Sequence, residues 1–155
     1  MIKSKILRNQ KQISHYFFNQ LGGTSKGIYK SLNCGKGSKD KITSINNNLK
    51  IVSKKIGCSI KNLVSLNQIH SNKVYKINSI PKKRLIGDGI ITNKQNIAIS
   101  ILTADCAPIL IIEKKQKFVG AIHAGWKGAF KGIVKKTIQL LKKNGCLLYT
   151  SDAAD

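Results

Sequence analysis

The chain has 155 residues and a formal net charge of +22, because 28 Lys and Arg face 6 Asp and Glu. That length suits one domain with a hydrophobic core, and 41% apolar residues with 2 Pro argue against a disordered or collagen-like chain. A strongly positive protein attracts polyanions, and nucleic acid is the first partner to consider. However, the excess is 26 Lys against 2 Arg and accompanies 24 Ile and 13 Asn. A bias toward A/T-rich codons therefore explains the charge better than phosphate recognition, for which Arg is the usual residue.

The N-terminus and the most apolar stretch predict a cytoplasmic protein without a membrane span. Residues 1–8 lack the continuous apolar segment of a secretory signal. Residues 97–112 are interrupted by Asp105 and Pro108 and are too short to cross a bilayer. The 4 Cys contain no C-x-x-C pair, so we expect thiols or metal ligands rather than disulfides.

The first part of the chain reads as a loop followed by a helix. Residues 22–38 are rich in Gly and are predicted to form a loop that could approach a ligand closely. Apolar residues at steps of three and four then predict a helix over residues 42–56. Asp40 is its expected N-cap and Gly57 its C-terminal stop.

Short β-branched segments in the second part predict strands, and a final amphipathic segment predicts a helix. The last helix is expected from about Gly128 to Lys143, and the strand 97–101 is expected to be buried on both faces. An order of helix, strands and helix does not follow strict βαβ alternation. We therefore predict an α+β fold (α/β layered), a mixed β-sheet flanked by helices and incomplete at the C-terminus. The predicted strands span residues 63–69, 74–77, 90–92, 97–101, 109–112 and 118–122.

The composition changes abruptly after Gly145. Residues 1–145 hold four acids, whereas residues 151–155 alone hold two, and the Lys/Ile/Asn bias stops at the same point. Residues 146–155 look like translated adapter read-through. We therefore predict a partial domain over residues 1–145 and a non-native tail over residues 146–155.

Three segments place a metal-binding or nucleophilic side chain beside Gly or at a predicted strand end. Their side chains His70, Cys106 and His123 would suit Zn²⁺ with a fourth position open, and copper is the alternative metal. The intervals of 36 and 17 residues match no short zinc motif. A Cys near Pro is more often a core thiol, and a lone His is more often structural, so the residues alone leave both interpretations open.

The same segments carry a family resemblance. Residues 67–70 (NQIH), 87–92 (GDGIIT), 102–106 (LTADC) and 123–128 (HAGWKG) occur in the order of the laccase-domain family. That family was once called multicopper polyphenol oxidases and is now described as zinc-dependent purine nucleoside phosphorylases. The loop at residues 22–35 is also similar to the family's N-terminal loop.

The resemblance covers about residues 15–141 and implies an enzyme. It implies that His70, Cys106 and His123 hold the metal and carry catalysis, with Zn²⁺ as the cofactor. The implied substrates are purine nucleosides and phosphate: adenosine, inosine and methylthioadenosine would be cleaved with phosphate, and adenosine would also be deaminated at the same site. The family's domain continues with further strands and a Gly-Pro-Cys segment that do not occur before Cys146. We therefore expect an incomplete sheet.

Five further residues are candidates for supporting roles. The amides of Asn67 and Gln68 could contact a purine or its ribose, with strand capping as the alternative. Asp105 could orient a metal-bound His; Asp88 could act similarly or pair with a nearby cation. Lys127 stands where the family usually has Arg and could attract phosphate as a point charge.

Two further positions, Trp126 in the HAGWKG segment and Asn48 in the first predicted helix, bear on the resemblance. Trp126 is predicted to pack rather than to stack on a base. Asn48 replaces an Arg that is common in the family.

Three other functions remain as alternatives. A cysteine hydrolase would use Cys106 as nucleophile, His123 as base and Asp88 or Asp105 to orient it. Copper-dependent polyphenol oxidation is disfavoured, since one three-ligand site suits multi-copper chemistry poorly. A basic nucleic-acid-binding module is disfavoured by 6% aromatic residues and by the lack of an Arg-rich or RNP-like segment. The oligomeric state stays open.

Overall fold

A computed structural model describes residues 2–5, 7, 12–113, 115 and 117–146. The chain divides into two compact units, Met1–Leu63 and Val64–Asp155. The described part combines helices with two β-sheets, one of them mixed, which confirms the predicted fold class. Of the segment predicted as a non-native tail, Cys146 is buried and residues 147–155 lie outside the described residues.

The first unit is organised around helix α1, Ile42–Ile56. As predicted, the helix ends at Gly57, whose φ of 83° is the left-handed conformation that glycine adopts without strain. The prediction of Asp40 as N-cap is wrong, because Lys41 occupies that position without a side-chain cap. The Asp40 carboxylate instead accepts hydrogen bonds from Ser25 Oγ at 2.6 Å and Asn33 Nδ2 at 3.0 Å.

Asn48 anchors the glycine-rich loop to α1. Its side chain is fully buried, and its Nδ2 donates to Ser25 Oγ at 2.9 Å, Ser31 O at 3.1 Å and Asn33 O at 2.8 Å. Its Oδ1 accepts from the backbone N–H of Thr24 at 2.7 Å. Because both ends of the amide are bonded to the loop, Asn48 has a structural role within this unit.

The loop contacts of Asp40 predict a pH dependence of stability. The hydrogen bonds from Ser25 and Asn33 lower the pKa of Asp40 below its ordinary value of 3.8. A carboxyl with a depressed folded-state pKa stabilises the fold fully above its unfolded pKa and loses that contribution as pH falls through the folded pKa. We expect urea unfolding to show a loss of stability below about pH 4 that is smaller in Asp40→Asn. Identical pH profiles for the two proteins would contradict this role.

The second unit contains a four-stranded sheet in the order β2-β3-β6-β5. Strand β3 runs parallel to β2 and antiparallel to β6, and β6 is antiparallel to β5. A separate two-stranded sheet pairs β1 with β4. The strands are β1 Leu63–Ser65, β2 Val74–Ile77, β3 Gly89–Thr92, β4 Ala98–Ser100, β5 Ala107–Ile112 and β6 Val119–Ala124.

The hydrophobic core of the second unit lies on the four-stranded sheet. Ile90, Ile91 and Ile122 of the central strands β3 and β6 are completely buried, as expected for β-branched residues on inner strands. Residues 97–101 are half-buried throughout. The prediction that this strand is buried on both faces is therefore wrong, because β4 belongs to the smaller sheet.

The predicted C-terminal helix is two helices. Helix α2, Trp126–Phe130, is separated from α3, Ile133–Lys143, by Lys131 and Gly132. The φ of 71° at Gly132 is left-handed and interrupts the helical backbone. Apolar periodicity continues across this break, which is why the sequence predicted one element.

Two further features of the described residues are the lengths of the helices and the state of the cysteines. No helix in the described residues is long and apolar enough to cross a membrane. All four cysteines lie within the described residues and are thiols, as expected. Burial raises the pKa of Cys34 to about 11, so this thiol is protonated at neutral pH.

Candidate metal centre

The order of the central strands gathers three polar residues at one edge of the sheet. His123 lies in β6, which pairs with β3 on one side and β5 on the other. Asp88 directly precedes β3, and Cys106 directly precedes β5. The backbone N–H of His123 donates to Asp88 O at 2.7 Å, which extends the β3–β6 pairing by one residue. Strand pairing therefore positions these side chains next to one another.

His70 joins this edge from the loop between β1 and β2. The metal-binding atoms of His70, Cys106 and His123 all lie within 4.8 Å of one another. Cys106 Sγ is 3.7 Å from His70 Nε2, and the two imidazole centroids are 4.8 Å apart at 77°. The structure thus brings together the three residues singled out in the sequence. It places His70 in a loop and Cys106 before a strand, rather than both at strand ends.

The geometry and chemistry of this cluster fit a metal ion. Tetrahedral zinc, with Zn–S of about 2.3 Å and Zn–N of about 2.0 Å, requires sulfur and nitrogen about 3.5 Å apart. The distance of 3.7 Å between Cys106 Sγ and His70 Nε2 is close to that value. His123 is buried while His70 is exposed, so the cluster has one side embedded in the fold and one side open to solvent.

Asp88 is the most heavily bonded side chain at this edge. Its carboxylate is fully buried and accepts from the backbone N–H groups of Ile69 at 3.3 Å, His70 at 3.0 Å and Ser71 at 2.7 Å. Ser71 Oγ donates at 2.7 Å and His123 Nδ1 lies at 2.8 Å. In the described part of the chain, the partners of Asp88 are these amides, a hydroxyl and an imidazole, and not the nearby cation that was the alternative interpretation.

These hydrogen bonds determine the state of Asp88 and the tautomer of His123. Burial by itself would raise the pKa of Asp88, but the hydrogen bonds from His123 and Ser71 outweigh it and hold the pKa below its ordinary value. Both oxygens of Asp88 accept from backbone N–H groups, so the carboxylate is also the acceptor toward His123 Nδ1 at 2.8 Å. The lone pair of His123 Nε2 is then available to a metal.

Gly125 permits the close approach of two cluster residues. A Cβ at this position would lie 2.5 Å from His70 Cδ2 and 3.3 Å from Cys106 Sγ. Gly128 is similarly restricted, because a Cβ there would lie 2.6 Å from Ser71 O. The two glycines of the HAGWKG segment therefore leave room for the His70 loop.

Gln68 connects the His70 loop to the segment that leads to Cys106. Its Nε2 donates to Leu102 O at 2.7 Å, and its Oε1 accepts from Leu102 N–H at 2.8 Å. Both ends of the amide are thus bonded to the backbone of one residue. The structure gives Gln68 a contact that holds two ligand-bearing segments together.

The remaining candidates lie at the surface. Asn67, Asp105 and Lys127 are exposed, and Lys127 Nζ lies 5.3 Å from the centroid of the Trp126 ring. Trp126 is 73% exposed, so the prediction that it packs is wrong. Trp126 is the first residue of α2 and its side chain faces solvent. The carboxylate that bonds a cluster histidine is that of Asp88, whose role the sequence did not distinguish from that of Asp105.

The amino-acid sequence is similar to proteins with a named activity. A protein named purine nucleoside phosphorylase from Clostridium acetobutylicum is 33% identical over 95% of this chain and 60% of its own length. Another of that name from Corynebacterium glutamicum is 32% identical over 87% of this chain and 56% of its own. The chain therefore spans about three fifths of the length of these relatives.

Solved structures and a family model agree with this similarity. YlmD from Geobacillus stearothermophilus is 27% identical and superposes with a TM-score of 0.76 over 81% of this chain and 50% of that protein. A DUF152 protein from Neisseria meningitidis is 32% identical, with a TM-score of 0.73 over 79% of this chain and 50% of its own. Residues 14–151 match the family model described as multi-copper polyphenol oxidoreductase laccase, and the chain belongs to this family.

Proposed function

We propose that this chain is the metal-binding part of a zinc-dependent purine nucleoside phosphorylase that also deaminates adenosine. The observation that supports the proposal is the convergence of His70, Cys106 and His123 within 4.8 Å, in a chain whose relatives carry the name purine nucleoside phosphorylase. Adenosine, inosine and methylthioadenosine are the proposed nucleosides, and phosphate is the proposed second substrate.

A thiolate and two imidazoles favour zinc as the metal. One sulfur and two nitrogen donors form a three-ligand set that leaves a fourth position for water or substrate. The thiolate of Cys106 would also reduce the net charge of the loaded site. When bound, zinc would supply Lewis-acid chemistry at a substrate atom, which can assist both glycosidic cleavage and attack at the adenine ring.

The proposed phosphorolysis transfers the ribosyl group of the nucleoside from the purine to phosphate. The bond from the purine nitrogen to the ribose carbon breaks, and a bond from that carbon to a phosphate oxygen forms. The proton that the phosphate loses balances the proton that the departing purine nitrogen gains. Lys127 is exposed on α2, the helix that follows strand β6 and its ligand His123. We propose that the Lys127 ammonium attracts phosphate. Asn67, also exposed, is proposed to donate or accept hydrogen bonds at the nucleoside.

Metal analysis combined with a product assay tests this function. We expect one equivalent of zinc per chain and release of adenine from adenosine that requires phosphate and stops after chelation. Inosine formed from adenosine without phosphate would report the deaminase activity. Protein that folds but contains no metal, or adenine release that is independent of phosphate, would contradict the proposal.

A cysteine hydrolase is the second candidate. The sequence predicts His123 as its base, but the imidazole nitrogen at 3.7 Å from Cys106 Sγ is Nε2 of His70. Activity that persists after chelation but is lost on thiol alkylation would favour it. Multi-copper oxidation is not favoured by the geometry, since the described part of the chain contains one group of three or more His, Cys, Asp or Glu that could hold a metal.

A further inference from the structure

We propose that Asp88 is the residue that positions two of the three metal ligands, His70 through its backbone and His123 through its side chain. The inference rests on the metal centre of the proposed function. The two ligands lie 53 residues apart in the chain, and the structure joins them through this single carboxylate.

The Asp88 carboxylate contacts the His70 segment through three successive backbone amides. Three successive N–H groups, from Ile69, His70 and Ser71, donate to Asp88 at 3.3, 3.0 and 2.7 Å. His70 has a φ of 57°, a left-handed conformation that is uncommon for a residue other than glycine. Consecutive amides converge on an anion when one residue adopts this conformation. Asp88 supplies that anion for the backbone segment that carries the His70 side chain.

The contact to His123 selects the nitrogen that faces the cluster. The carboxylate accepts from Nδ1–H at 2.8 Å, and the backbone of Asp88 accepts from the backbone N–H of His123 at 2.7 Å. His123 is therefore held through its backbone and through one ring nitrogen, which leaves Nε2 as the nitrogen that can bind metal. Partners of this kind orient metal-bound histidines in many proteins.

Asp88→Asn tests the proposal because neither orientation of the new amide fits. A nitrogen in the place of Oδ1 would face the donors His70 N–H and His123 Nδ1–H. A nitrogen in the place of Oδ2 would face the donors Ser71 N–H and Ser71 Oγ. We expect the Kd for Zn²⁺, measured by competition with a chromophoric chelator, to rise about 10- to 100-fold.

Glu113→Gln is the matched control for removal of a buried carboxylate. Glu113 is 2% exposed and accepts from the backbone N–H of Lys117 at 3.1 Å. It follows β5 directly, at the end of the β5–β6 pair opposite Cys106. We expect this variant to bind Zn²⁺ like the unchanged protein. Equal Zn²⁺ affinities in Asp88→Asn and Glu113→Gln would overturn the proposal.

A spectroscopic measurement tests positioning separately from affinity. Long-range ¹H–¹⁵N spectra of the metal-free protein should show His123 as the Nδ1–H tautomer, and Asp88→Asn should populate the Nε2–H tautomer. An Nε2–H tautomer in the unchanged protein would overturn the proposal even if Asp88→Asn does not fold. In that case Ser71→Ala, which removes one bond to the carboxylate, should still raise the Kd above that of Glu113→Gln; equal values would count against Asp88.

These readouts are independent of the nucleoside chemistry. Loss of Zn²⁺ affinity in Asp88→Asn, in a protein that never releases adenine, would support the role of Asp88 and contradict the proposed function. Phosphate-dependent adenine release by the unchanged protein, with unaltered Zn²⁺ affinity in Asp88→Asn, would support the function and contradict the role.

Discussion

Replacing His123 by alanine is expected to weaken Zn²⁺ binding by more than about 100-fold. Loss of a residue that only hydrogen-bonds a metal ligand has a smaller effect, of about 10- to 100-fold. The variant retains two of three donors, and it leaves the buried Asp88 carboxylate without its imidazole partner, which lies at 2.8 Å. Phosphate-dependent adenine release should fall in parallel. Elemental analysis after dialysis and a chelator-competition titration measure the loss.

His15→Ala is the matched control for this substitution. His15 is also buried, and its Nε2 accepts from the backbone N–H of Ser4 at 3.0 Å. It is the one histidine of the chain outside the cluster. Urea unfolding of both variants separates loss of structure from loss of metal. A folded His123→Ala protein that retains one equivalent of zinc would show that the cluster is not the site.

The second large effect is expected from Gly125→Ala, which adds one methyl group to the centre. The backbone at Gly125, with φ of −69° and ψ of 158°, is accessible to alanine, so the effect is steric. The new Cβ would lie 2.5 Å from His70 Cδ2, which forces the exposed His70 ring to move away. We expect a loss of Zn²⁺ affinity of about 10- to 100-fold, with a change of about 1 kcal/mol or less in the free energy of unfolding.

Gly37→Ala is the control for addition of a methyl group elsewhere. No atom lies within 4 Å of a Cβ at Gly37, so this variant should match the unchanged protein in affinity and stability. The combination expected for Gly125→Ala, intact stability with weak metal binding, differs from that of a core defect. Zn²⁺ affinity equal to that of Gly37→Ala would refute the steric argument.

The secondary structure was predictable where local periodicity determines it. Helix α1 was predicted with its observed C-terminal end and with its N-cap one residue early, and the strands of the larger sheet were predicted within two residues at each end. The errors arose where a distant partner or a single backbone angle decides the outcome. Gly132 interrupts the C-terminal helix with a φ of 71°, although the apolar pattern continues. The Asp40 side chain accepts hydrogen bonds from Ser25 and Asn33 of the preceding loop instead of capping α1.

The candidate site was only partly predictable for the same reason. The residue types and the family resemblance identified His70, Cys106 and His123, but the sequence spacing could not place them within 4.8 Å. Asp88 was one of two possible supporting carboxylates. Its partners include three backbone amides, and backbone groups leave no signal in the residue types. The exposure of Trp126, at 73%, likewise depends on the direction in which α2 leaves the sheet.

The central place of β6 has a consequence for the order of folding. Pro108 and His123 are cross-strand partners in the β5–β6 pairing, and Gly89 is the partner of Ile122 in the β3–β6 pairing. A shift of either pairing by one residue would turn His123 to the opposite face of the sheet. The ligand set is therefore complete only after β6 has docked in register between both neighbours. Uptake of metal by a refolding chain would mark the moment at which the sheet closes.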